Sequence, residues 1–436
     1  MRKLLLVLVI ALIFGGVAFA TATAEDEGPK EVEFWHGFAT GRISERMDAV
    51  IAYWESENPD VTVNQVLVPW GEIQSKALTA TSAGAPPDVF RGWSRTLADW
   101  GLQGALTPLN EYIENDPDFS MDDFFPSVVG QATYNGEILG VSPSFYVTSI
   151  LFVNDDLLQK AGYDAIPADF YEFKAMLEDI DAQNAPDGPW GFLPWFLHDS
   201  AGSFAYALTG KYAYDTTTDT LNMREDPEVY NAYLEVLTWF DEIAERIGRE
   251  YASSLAAGSG RAGEQKNRRS PLGAWYQEEM IIWHSGSYVM ADIDEFAPDI
   301  NYTPSGVPGV DAPLSGSTES NFYFMPRGVD DPETAWRFLK FFGSEYFMNN
   351  FVRYDAVIPS RVNVAYNEVF EDSFITPLLA DLENFTPTQM LPGVDQFSAV
   401  WNNNVLAMLA GDMTPEEVIE NSLPVWEMSL EQLENE

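Results

Sequence analysis

Residues 31–68 read EVEFWHGFATGRISERMDAVIAYWESENPDVTVNQVLV. Val32 and Phe34 alternate with Glu31 and Glu33, the period of a half-buried strand. Ile43, Met47, Val50, Ile51 and Trp54 then recur at helical spacing, and Asn58-Pro59-Asp60 breaks that helix before a second strand from Val61 to Val68. This is a βαβ unit. Asp88-Val89-Phe90, after the loop Gly84-Ala85-Pro86-Pro87, supplies the next strand, so a parallel sheet covered by helices is the economical architecture. Farther along, Ile150 to Val153 is a buried strand, and Asn154-Asp155-Asp156 caps a short helix that Gly162 ends. Phe170, Phe173, Met176, Leu177 and Ile180 mark one apolar stripe. Val229, Tyr233, Val236, Leu237, Phe240, Ile243 and Ile247 mark a longer one opened by Asp226-Pro227. Near Ser253 the pattern stops. Residues 253–270 read as a loop whose Arg261, Lys266, Arg268 and Arg269 either balance the local field or dock on an acidic neighbour. Later helices start at Asp331-Pro332 and at Thr414-Pro415-Glu416-Glu417, each with a capping residue followed by proline.

A chain of 436 residues with 46% hydrophobic side chains is too long for one ordinary core and too apolar for a disordered chain, so two lobes are expected. The 68 acidic and 23 basic residues leave a formal charge of −45, which repels phosphate backbones and anionic lipid headgroups and excludes nucleic acid as a partner. A carboxylate-covered surface also keeps a protein hydrated in brine, a halophilic adaptation that says nothing about the ligand. The absence of cysteine excludes disulfides, thiolate metal sites, a cysteine nucleophile and a lipoprotein anchor. Arg2 and Lys3 precede an apolar run from Leu4 to Ala20, and Ala22-Thr23-Ala24 follows as a cleavage site. Residues 1–24 therefore read as an export signal. The mature chain is expected as a free periplasmic or secreted monomer with no membrane insertion.

Chemistry-bearing motifs are few. Gly258-Ser259-Gly260-Arg261-Ala262-Gly263 matches a dinucleotide fingerprint, but no strand precedes it and no apolar helix follows. Asp116, Asp118, Ser120 and Asp122 have the spacing of a calcium loop, yet Met121 replaces the turn glycine and Ser127 replaces the closing glutamate. His36, His198 and His284 form no metal-binding pair, and nucleophile elbows and phosphate loops are missing. No metal, cofactor or catalytic residue is expected. Paired carboxylates across a cleft stay open, because their approach is a three-dimensional matter.

Several segments, taken in order, resemble the extracellular solute-binding proteins of ABC importers, in the carbohydrate-binding group like maltose-binding protein. They are Phe34-Trp35-His36-Gly37, the turn Gly84 to Val89, the run Asn135-Gly136-Glu137-Ile138-Leu139-Gly140-Val141-Ser142-Pro143, and Leu151 to Leu157 with Ala161-Gly162. Further on come Ala335 to Phe342, Ile358-Pro359-Ser360-Arg361 and Gly411 to Glu417. The chain departs from that pattern at Gln277-Glu278-Glu279-Met280, at Tyr288 after Gly286-Ser287, and at Gly316-Ser317. The resemblance implies an α/β, two-lobed periplasmic-binding-protein fold of type II, each lobe a mostly parallel sheet flanked by helices. Lobe 1 would hold residues 25–145 and 320–355, and lobe 2 residues 146–319 and 356–436. Crossovers would lie near 143–148, 317–322 and 353–358, with a carbohydrate held between the lobes and delivered to the transmembrane subunits of an ABC permease.

A sugar needs flat aromatics for its ring face and directional partners for its hydroxyls. Trp54, Trp239 and Trp336 sit on helical stripes and are assigned to the core. Trp35, Trp70, Trp93, Tyr146, Trp195 and Tyr288 fall where the family places residues around its cleft. His36 either donates to the ligand or bonds a carbonyl in its own turn. Ser144 and Ser317 lie at the first two crossovers, and Phe397, beyond Pro392-Gly393, resembles the opening of a helix that closes over the cleft. Two other functions compete: the same fold binding a cationic solute such as a polyamine, which requires carboxylates between aromatic walls, and an exported glycoside hydrolase with two opposed acids.

Overall fold

The computed structural model describes residues 29–434 except 40, 194–196, 216–217, 219, 258–272, 311–315, 355–356, 371–375, 381, 383–384 and 388–392. The expected export signal, Trp195, the basic cluster and the dinucleotide-like match lie outside the described residues.

The opening unit forms as its alternation dictates. Strand β1 (Lys30–His36) buries Val32, Phe34 and His36, and the helix Gly41–Glu57 buries Met47, Val50, Ile51 and Trp54. Strand β2 (Val61–Leu67) then pairs in parallel with β1 along its whole length, from Lys30 opposite Val61 to His36 opposite Leu67. Strand β3 (Val89–Trp93) is parallel to β1 on its other side. After a small hairpin of β4 (Thr133–Tyr134) and β5 (Glu137–Ile138) comes the long strand β6 (Val141–Thr148). One residue, Ser149, separates β6 from β7 (Ile150–Asn154). Its φ of 63° lies in the left-handed region that side chains other than glycine rarely occupy.

Strand β7 belongs to a second sheet with β8 (Trp190–Phe192), β9 (Met280–Ser285) and β10 (Tyr302–Ser305), in the order β10-β7-β9-β8. The chain then returns to the first sheet as β11 (Gly316–Phe324), β12 (Ile358–Pro359) and β13 (Phe385–Pro387). The order there is β12-β6-β11-β3-β1-β2, with β13 beside β11. The expectation of mostly parallel sheets needs correction. β11 runs antiparallel to both β3 and β6, β12 antiparallel to β6, and β7 antiparallel to both its neighbours. β7 and β11, which arrive by crossing from the other sheet, enter from its side and so oppose the strands they join.

The register aligns three passages between the sheets. Thr148, the last residue of β6, is opposite Ser317 near the start of β11, and Ser317 is opposite Thr386 of β13. From β13 the chain goes on to the helix Val394–Ala410, which packs with Pro415–Glu434 against the helices of the second half. The third passage therefore lies later than residue 356. Val357, Val364, Phe370 and Leu378 are still buried in the first core because they cover the edge where β12 pairs β6.

Around the first sheet, Phe34, Tyr323, Phe338 and Phe342 pack on one face, with Tyr323 and Phe342 stacked at 3.7 Å. Phe90, Trp100, Phe322 and Phe324 fill the other face. The second half is centred on Trp239, and Trp54, Trp239 and Trp336 are all buried, as their stripes require. The helix Arg249–Ala257 runs past Ser253, so the loop begins later than the composition suggests. At Thr414 the start signal forms a reciprocal cap: Glu417 N donates to Thr414 Oγ1 at 3.2 Å, and Thr414 N donates to Glu417 Oε2 at 2.8 Å. Thr414→Ala is expected to cost about 1 kcal/mol, read as a lower urea midpoint at constant slope. An unchanged midpoint would mean that packing alone fixes this helix end.

Candidate functional site

The carboxyl end of β3 lies beside the middle of β11, which in turn pairs with β6, and polar and aromatic side chains gather there. Trp93, Asn321 and Ser144 are register partners across three strands, followed by the pair Glu319 and Tyr146 and then by Ser317 and Thr148. Alternation sends each of these rows to the same side of the sheet.

Arg91 lies at the centre of this surface. Its guanidinium carbon is 4.2 Å from the ring centre of Trp70, 5.2 Å from that of Trp93 and 5.9 Å from that of Phe38. Its Nη2 donates to Asn321 Oδ1, and Asn321 Nδ2 donates to Ser144 Oγ at 3.3 Å. Ser94 Oγ donates to Glu319 Oε1 at 3.2 Å. Trp70 follows β2 in a short turn and meets Phe38 edge-on at 4.9 Å and Trp93 at 6.0 Å. Gly37 makes room for it: a Cβ at Gly37 would stand 2.5 to 2.9 Å from three ring atoms of Trp70.

From the second sheet, the turn Gly286-Ser287-Tyr288 after β9 is fastened to β6. Ser287 N donates to Val147 O at 2.8 Å, and Val147 N donates to Ser287 Oγ at 3.3 Å. Tyr288 meets Tyr146 edge-on at 5.3 Å. A side chain at Gly286 would collide with the Tyr288 ring, which lies 2.4 Å from its would-be Cβ. Farther into the second half, Ser200 Oγ and His284 Nδ1 lie 2.8 Å apart, both buried.

The structure brings together Trp70, Trp93, Ser144, Tyr146, Tyr288 and Ser317. Three other expected residues are placed differently. His36 is buried, with Nε2 3.0 Å from Gln65 Oε1 and Nδ1 accepting from Phe38 N at 3.2 Å. Burial lowers its pKa to about 4, and the nearby Arg91 charge acts in the same direction, so it stands neutral beneath the aromatic cluster. Trp35 packs into the core on the opposite face and donates from Nε1 to Glu33 Oε1 at 2.6 Å. Phe397 is fully buried between Trp401 and Trp426, with ring centres at 5.5 and 4.6 Å, in the core of the second half.

Arg91, Ser94, Asn321 and Glu319 escaped the sequence reading. The signal for Arg91 was present: Val89, Arg91 and Trp93 share the face of an apolar strand, so a guanidinium had to be buried there. Among the described residues no cluster of three or more His, Cys, Asp or Glu forms a metal site. Asp116, which opened the calcium-like spacing, is instead bound by Lys340 Nζ at 2.5 Å and Trp336 Nε1 at 3.1 Å.

Flat rings flanked by amide, hydroxyl and guanidinium groups offer stacking faces and directional hydrogen-bond partners. Residues 40–345 match the family model described as bacterial extracellular solute-binding protein. The chain belongs to this family. A binding protein of Brucella abortus is 23% identical to this solute-binding protein over 421 residues, 94% of this chain and 95% of the relative. Among solved structures, CpMnBP1 with mannotriose bound has a TM-score of 0.75 at 20% identity, covering 91% of this chain and 100% of the other. An ABC substrate-binding protein of Listeria monocytogenes in complex with cycloalternan has a TM-score of 0.76 at 18% identity, covering 92% and 99%. The fold is accordingly the two-lobed one of these binding proteins. Among the described residues no helix is long and apolar enough to cross a membrane.

Proposed function

We propose that this protein captures an oligosaccharide between its two lobes and hands it, unaltered, to the permease of an ABC importer. The observation that carries the reading is the alternation of rings and directional polar groups in register across β3, β11 and β6: Trp93, Asn321, Ser144, then Glu319 and Tyr146. Ring faces suit the apolar face of a sugar, and the amide, hydroxyl and carboxylate groups suit its rim. The surface also lies beside the passages between the sheets, so a ligand touching both halves favours the arrangement in which both contacts exist. Mannotriose and cycloalternan in the structural neighbours support a saccharide of more than one ring. The proposal includes export by residues 1–24, residence in the periplasm as a monomer, and a ligand set of Trp70, Trp93, Ser144, Tyr146, Trp195, Tyr288 and Ser317.

Thermal unfolding with mannotriose, maltotriose and spermidine, at low and high salt, tests this. A ligand at a hundred times its dissociation constant stabilises the native state by about 2.7 kcal/mol. A saccharide is expected to raise the melting temperature and to be recovered intact by chromatography. A shift with spermidine and none with any saccharide would transfer the site to cations, and shortened saccharide products would make the protein a hydrolase.

A further inference from the structure

Arg91 is buried in a place where a charge is costly, and its neighbours explain how it is kept there. Phe38, Trp70 and Trp93 reach it from the ends of three different parallel strands, and its fork reaches Asn321 on a fourth. Trp70, in the turn after β2, and Trp93, at the end of β3, are held at 6.0 Å with 55° between their planes, and the Arg91 guanidinium lies against both rings. A guanidinium is flat, so it lies against a ring while directing N–H groups sideways; an ammonium has no plane and keeps its water.

We propose that Arg91 is the positioning residue of the binding site: its guanidinium sets the angle between Trp70 and Trp93 and, through Asn321, ties the pair to Ser144 on the strand that leads into the second half. The proposal rests on the saccharide-binding reading for its effect on affinity, though the ring geometry is a property of the free protein. Arg91 acts here through its neighbours.

Arg91→Lys and Arg91→Gln test it in the full mature chain, with Asn321→Ala as a milder variant that leaves the guanidinium in place. The near-ultraviolet circular dichroism band lost in Trp70→Phe identifies the contribution of the Trp70 and Trp93 pair. Calorimetry uses whichever of mannotriose and maltotriose binds the parent more tightly. Both Arg91 variants are expected to keep cooperative unfolding, to lose that band and to bind at least tenfold more weakly, with lysine no better than glutamine. Asn321→Ala is expected to weaken the band and the binding in part. Parental affinity in Arg91→Lys would show that charge alone suffices, and an unaltered band in Arg91→Gln would show that the rings hold themselves; either overturns the proposal. Should the Arg91 variants not fold, an unaltered band and affinity in Asn321→Ala overturn it. Failure of the parent to bind any saccharide would refute the function proposed above, and the band would still decide the role of Arg91.

Discussion

Trp239→Ala is expected to destabilise the second half by about 4 kcal/mol, in the range of buried tryptophan truncations. Trp239 sits mid-way along the helix Pro227–Ile247, fully buried. Phe192 stacks on it at 5.5 Å, while Phe204 at 5.0 Å, Phe170 at 5.4 Å and Phe173 at 6.1 Å meet it edge-on. These four rings come from two helices and a strand, so the cavity left by alanine would have walls that cannot all move in. The indole Nε1 is buried without a hydrogen-bond partner among the described residues, which makes the ring and not its N–H the stabilising part. Trp239→Phe should therefore lose only about 1 kcal/mol, since it removes the orphan donor together with some packing. Calorimetric melting reads the difference: a fall of roughly 10 °C for alanine and a small one for phenylalanine. Equal losses in the two variants would mean that the N–H is satisfied in solution and that this account of the core is wrong.

Acid is the second lever. His36 has a folded pKa of about 4 against an ordinary value of 6.5, because burial penalises its charged form. Between those values the unfolded chain binds the proton and the folded chain refuses it, so stability falls as pH drops from 6.5 to 4, by about 3 kcal/mol in all. Asp181 works in reverse. Buried under β8, its pKa rises to about 6 despite the Gly191 amide and the Arg246 guanidinium beside it. Its folded form takes up the proton first, so this group adds stability as pH falls from 6 toward 3.8. The two slopes oppose each other over most of one window. His36→Gln is expected to become more stable relative to the parent as pH falls from 6.5 to 4, and Asp181→Asn less stable. Urea midpoints at half-unit pH steps give both differences. Parallel curves for parent and His36→Gln would show that the imidazole takes up its proton equally in the folded and unfolded chains.

Local patterning carried the reading of single elements. The first βαβ unit, the stripes at 170–184 and 227–247, and the caps at Asn154, Asp226, Asp331 and Thr414 are written within a few residues of each other, and each forms where its pattern falls. Strand order was out of reach. β11 inserts between β3 and β6 from far along the chain, and β13 is three residues long and ends in proline. The candidate site shares this limit: aromatics at strand ends are visible one at a time, but the row joining Trp93, Asn321 and Ser144 is a product of topology. Phe397 is the converse. Phe397, Trp401, Val405 and Met408 follow one another at helical spacing, a core stripe that outweighs the resemblance placing Phe397 at the cleft.

The line from Thr148 through Ser317 to Thr386 limits how the halves can move. Sliding along the strands would turn every side chain to the wrong face, whereas bending across them asks only a few backbone rotations around residues such as Ser149. A body hung on three collinear pins swings about one axis. Under the proposed capture of a saccharide between the lobes, such a molecule would shut along the same arc whatever cargo it carried, and discrimination between cargoes would fall to the jaw surfaces.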